Sequence, residues 1–218
     1  MPRFYLTAIV YMCTRLLINI IMVYIAFYLL RTLDAHTTSI ATIPCAMYVA
    51  GFGATLVLGQ RVNGMVGRRW AYVISCGIVC CGCALAYMIQ NPDLGAWSFP
   101  HEVIFACAML FGVGTSLLMV TGVSFVNDLV GENLGTSAFV YGCMSFTDKL
   151  LTGAVVILVQ NHRDDVCQET DECHDCDNSE CGEFVRLVMC GVPVLSCIVA
   201  CAALPFLPPV EEKKGDKL

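Results

Sequence analysis

Six long apolar stretches, each closed by a polar or proline-bearing segment, dominate the chain: Phe4 to Leu30, Ile40 to Leu58, Ala71 to Ile89, Val103 to Val126, Ala138 to Gln160 and Phe184 to Leu207. Crossing a hydrocarbon core of roughly 30 Å takes about 20 helical residues, and each stretch is near that length. None alternates with the period of two that a barrel strand would show. The pattern predicts an all-α integral membrane protein, a single bundle of six transmembrane helices over residues 1–218, with membrane lipid as its surroundings. The first run is too long for a signal-peptide core, contains Arg15 and lacks a small-residue cleavage site, so it reads as a permanent span.

An even number of spans puts both termini on one side, and the basic residues choose that side. Arg3, Arg61, Arg68, Arg69, Lys213, Lys214 and Lys217 fall on one side, against Arg31 and Arg163 on the other. Both termini, with the tail 208–218, are therefore expected in the cytosol. The loop 161–183 is expected on the extracytosolic side.

Composition agrees with the hydropathy pattern: 57% of residues are hydrophobic and 14% charged, more apolar surface than a soluble domain of 218 residues could bury. The net charge of −6 says little about partners, because nine of the 18 carboxylates lie between Asp164 and Glu183. That run reads most simply as a solvated loop; as a funnel it would repel anions. No basic stripe with interleaved aromatics is present, which argues against nucleic acid as a partner. There is no His-Glu-x-x-His, no Gly-x-Ser-x-Gly and no phosphate loop, so the sequence suggests no enzyme and no cofactor.

The chemistry lies in residues that do not belong in lipid. Arg15 sits about 16 Å along the first span, near the midplane, where a charge costs roughly 2.5–3.5 kcal/mol. Tyr11, Arg15 and Asn19 recur every four residues and form one polar stripe. In the fifth span Tyr141, Ser145, Asp148, Lys149 and Thr152 form another, with Asp148 about 15 Å from the cytosolic entry. Arg15 and Asp148 thus lie at similar depth, and pairing them is the cheapest way to hold both charges. Such a pair is either a permanent clasp or a coupling site that breaks and re-forms; an Arg15 that snorkels to the cytosol is the alternative. Lys149 points about 100° away from Asp148 on an ideal helix, so it calls for a partner of its own, a solute or a proton-linked group. Thr115, Ser116 and Thr121 could line a polar pocket in the fourth span beside Gly112 and Gly114, or simply bond their own backbone.

Eleven of the 15 cysteines fall in the spans, among them Cys76, Cys80, Cys81 and Cys83, where the type usually serves as a small apolar residue. The other four, Cys167, Cys173, Cys176 and Cys181, sit in the acidic loop, where an oxidising compartment favours two disulfides. A zinc site using His162 or His174 is the alternative, but the spacing matches no common finger, and no metal is assigned.

Arg3 to Arg15, Ile40 to Pro44, and Ala138 to Gly142 with Met144 to Phe146 and Asp148-Lys149 resemble the C-terminal half of a major facilitator superfamily transporter. The likeness covers essentially all six stretches. It implies spans seven to twelve of a twelve-helix protein, with an N-terminal six-helix half as partner and a small-molecule solute at a midplane site. The first, second, fourth and fifth helices would border the cavity, and the third and sixth would lie outside. It further implies import of cysteine or a similar amino-acid thiol into a lysosome or melanosome. The wider relatives are sugar and cation symporters, and the plasma membrane is the other location. Gly59 to Arg69 is similar to the superfamily's gating loop, with Gly67, Arg68 and Arg69 in register but Asn63 where the family has an acid. Arg68 and Arg69 also fit plain positive-inside anchoring. A different class of function is a truncated, non-transporting membrane protein that binds or regulates a full-length transporter.

Overall fold

The computed structural model describes residues 2–31, 37–65, 67–88, 101–130, 134–166 and 178–206. Among them every regular element is helical: α1 (Pro2–Arg31), α2 (Thr37–Met65), α3 (Arg68–Met88), α4 (His101–Val130), α5 (Leu134–Val166) and α6 (Asn178–Ala203), closed by a 3-10 turn at Leu204–Phe206. Backbone groups in hydrocarbon must be satisfied within the segment, and helix is what allows runs this apolar to do so. Pro44 in α2 and Pro193 in α6 each remove one such bond inside the helix.

Among the described residues five helices are long and apolar enough to cross a membrane, and the described apolar part of α2, Ala41–Val57, is shorter. The chain is thus an all-helical bundle of membrane-spanning character. The apolar stretches lie one to a helix, and most of the helices run past the stretch that they contain. The additional residues are polar ends such as His101 and His162.

Packing is dense on one side of the bundle and open on the other. α1 lies against α6, α4 and α5, α2 against α4, and α3 against α4 and α6. The core is built from Leu17, Ile20 and Ile21 of α1, Tyr72 and Val79 of α3, Phe111 and Leu118 of α4, and Met189 of α6. Glycines set the closest approaches: a Cβ on Gly112 would land on the Met47 carbonyl oxygen, so α2 and α4 can touch backbone to backbone only without one. α5 is the peripheral helix, with 11% of its apolar window buried against 44% for α1, α3, α4 and α6. Phe139, Phe146, Leu150, Ile157 and Leu158 of α5, with Tyr48, Phe52 and Leu56 of α2, are exposed on these two helices. Apolar surface on this scale requires lipid or another protein surface.

Candidate functional site

α5 is held to the bundle by a polar knot as well as by apolar contact. Asp148 is buried, with its side chain 1% exposed. Its Oδ2 accepts from Arg15 Nε at 3.3 Å, and its Oδ1 accepts from Asn19 Nδ2 at 2.9 Å. Asn19 also donates to Thr152 Oγ1 at 3.0 Å, one turn further along α5. The four-residue spacing of Arg15 and Asn19 on α1 matches that of Asp148 and Thr152 on α5, so two successive helical turns are bridged in register. The charged donor and the neutral donor thus occupy separate oxygens of one carboxylate.

Arg15 is less enclosed, with its side chain 20% exposed. Nη1 lies 3.4 Å from the sulfur of Met119 on α4, and the guanidinium sits 5.9 Å from the centre of the Tyr11 ring. Arg15 is thus turned toward α4 and α5. Lys149 differs from the helical-wheel expectation: its Nζ returns to 3.8 Å from Asp148 Oδ2 while the side chain stays 73% exposed. The wheel angle describes the Cα–Cβ direction, and a four-carbon stem is long enough to curl back across it.

Toward the end of α4, Tyr141 of α5 donates to Asn127 Oδ1, and Tyr11, Val126, Val140 and Met144 form a small apolar cluster around that contact. Ser145 is exposed one turn before Lys149. The hydroxyls of α4 are not part of the knot. Thr115 donates to the Phe111 carbonyl at 2.6 Å and Thr121 to the Leu117 carbonyl at 2.9 Å, while Ser116 abuts the Gly51 backbone of α2. Among the described residues no hydrogen bond joins these three to Asp148.

Gly67, with φ of 83°, precedes α3 in the left-handed region that favours glycine, and its carbonyl accepts from the Ala71 amide at 3.0 Å. The turn delivers Arg68 to Asp128 at the end of α4, where Nη1 and Oδ2 form an ion pair. Asp128 is not evident as a site residue in the sequence, where it merely closes an apolar run sixty positions away. The signal available is an acid on the same side as the Arg68-Arg69 pair. Met119 gives no signal at all. The Asn63 side chain lies outside the described residues, as do Cys167, Cys173, Cys176, His174, the Cys181 side chain and the tail 208–218. The eleven cysteines whose side chains are described are free thiols, and no group of three or more metal-ligating side chains occurs among the described residues.

Three relatives carry the name major facilitator superfamily domain-containing protein 12. The horse protein (Equus caballus) is 35% identical over 160 residues, 73% of this chain. The mouse protein (Mus musculus) is 32% identical over 211 residues, 93% of this chain, and the human protein (Homo sapiens) 34% over 160 residues, again 73%. The chain belongs to the major facilitator superfamily. It spans 32% of the horse and human proteins and 40% of the mouse protein. No family model matches the chain, and no solved structure matches it. Superfamily membership, the apolar helices and the buried polar knot together make this an integral, multi-pass, transporter-like membrane protein in contact with lipid.

Proposed function

We propose that this chain is the C-terminal half of a secondary active transporter that moves cysteine or a similarly small amino-acid thiol into a lysosome or melanosome by alternating access. The observation that carries the reading is the Arg15–Asp148–Asn19 group, charged, part-buried around a fully buried Asp148, and about halfway along both helices. Ionisable residues at such depth mark solute and ion pathways in membrane proteins, because a purely structural joint is cheaper to build from apolar residues. In this reading the Arg68–Asp128 pair acts as a cytosolic gate that breaks when the cavity opens to that side. The Lys/Arg distribution supports cytosolic termini. The exposed faces of α2 and α5 suit an N-terminal six-helix half. The identity of the solute rests on the likeness of Arg3 to Arg15 and Ala138 to Lys149 to that branch of the superfamily.

The test is uptake of labelled cysteine into vesicles holding the full-length protein, this chain alone, or no protein. Uptake by the full-length protein only, saturable and uncompeted by a disaccharide, is expected. Competition by the sugar would point to a sugar symporter. Absence of uptake, with this chain co-purifying with a separate transporter, would replace the proposal with a regulatory role.

A further inference from the structure

Charges around Asp148 do not balance, because one carboxylate faces two cations, Arg15 and Lys149. Both carboxylate oxygens already have a donor, Asn19 on Oδ1 and Arg15 on Oδ2. Arg15 uses only Nε there. Its Nη1 finds no better acceptor than the Met119 thioether at 3.4 Å, and among the described residues neither terminal nitrogen meets an oxygen. Sulfur of this kind is a weak acceptor that a stronger one displaces. A guanidinium held sideways through Nε keeps its Nη1–Nη2 edge for a planar oxyanion, the geometry in which carboxylates bind bidentately. Lys149 Nζ, 3.8 Å from Oδ2, lies beyond hydrogen-bonding distance and keeps its donors on an exposed surface of α5.

We infer that the terminal nitrogens of Arg15 and the ammonium of Lys149 form the subsite for the carboxylate of the transported solute. Asp148 and Asn19 act as positioning residues that fix the Arg15 fork. The inference rests on the transport reading above and adds to it which atoms hold which part of the solute. Within the subsite itself, a bound carboxylate offsets the second cation, so that two carboxylates face Arg15 and Lys149. A carboxylate from a segment of the full-length protein outside this chain would serve the same chemistry, and the test separates the two sources.

The probes are cysteine and cysteamine, which share the thiol and amine but differ in the carboxylate, used with the full-length protein. Wild type is expected to prefer cysteine at least tenfold, reading half-saturating cysteine against half-inhibitory cysteamine. Lys149→Gln should raise the cysteine value tenfold or more and leave cysteamine within twofold, and Lys149→Arg should recover most of the loss. Equal shifts for both probes, or no shift, overturn the subsite. Melting of the ligand-free protein identifies the source. A solute carboxylate predicts that Lys149→Gln melts at or above wild type and loses only the rise induced by cysteine. A lower ligand-free melt with both probes weakened alike assigns the carboxylate to the protein and overturns the inference, as does a wild type that shows no cysteine-induced rise. Uptake is scored apart from binding. A cysteine-induced rise that Lys149→Gln abolishes, without any uptake, sinks the transport reading and leaves the subsite. Uptake without discrimination between the probes does the reverse.

Discussion

Removing the Asp148 charge should expose how much of α5's attachment is electrostatic. Asp148→Asn preserves shape and leaves Arg15 and Lys149 with no anion. Across 3.3 Å at an effective dielectric constant of 20, the lost attraction of the Arg15 pair is at most about 5 kcal/mol. Solvent reaches one fifth of the Arg15 side chain, and snorkelling relieves part of the remainder, so the insertion cost of a lone mid-membrane arginine, roughly 2.5–3.5 kcal/mol, is the better guide. Lys149, largely exposed, adds little. We therefore expect Asp148→Asn to destabilise by about 3 kcal/mol. The double variant Arg15→Met/Asp148→Leu should cost less than the two single changes together by about 2 kcal/mol, since it removes both charges at once. The assay is a double-mutant cycle by SDS-titrated unfolding of the chain in mixed micelles, followed by circular dichroism. Additivity within about 0.5 kcal/mol would refute the coupling.

Gly112→Ala should destabilise by about 1–3 kcal/mol, because its methyl meets the Met47 backbone, whereas Gly142→Ala, with open space around it, should be neutral or slightly stabilising in the same titration. Asp128→Asn breaks a partly exposed pair and should change stability by less than about 1 kcal/mol, yet raise the labelling of cytosolic cavity positions by a water-soluble reagent; unchanged labelling would remove the pair from gating. Gly67→Ala, at a φ of 83°, should cost about 1–2 kcal/mol, and Gly67→Asn less, by the same unfolding measurement. Alkylation before and after reduction, read by mass spectrometry, should find two disulfides among Cys167, Cys173, Cys176 and Cys181 and none among the other eleven cysteines. Zinc retained by the protein in place of the disulfides would reverse that assignment.

Depth along a helix is linear in residue number, and that alone suffices to match Arg15 with Asp148 across 133 positions of sequence. Their stripe partners Asn19 and Thr152 follow from four-residue periodicity. What the sequence does not reveal depends on side-chain reach and on which helices are neighbours. Lys149 returns to Asp148 through its flexible stem, a freedom invisible to a wheel diagram. Arg68 meets Asp128 only because α3 and α4 pack together, and nothing local to either residue encodes that. The hydroxyls of Thr115 and Thr121 suit a pocket and their own helix equally well by sequence, and the carbonyls four residues back prove the nearer acceptors. Asn63 stands where the superfamily's loop has an acid, and the acid that meets Arg68 comes from α4.

The central claim is that the Arg15–Asp148 knot belongs to the transport pathway. Its most direct test is initial-rate uptake of labelled cysteine by the full-length protein carrying Arg15→Ala or Asp148→Ala, normalised to the amount of correctly folded protein in the vesicles. The account predicts that each substitution lowers uptake at least tenfold at equal protein. Uptake indistinguishable from wild type in both variants would contradict it and leave the knot a structural clasp.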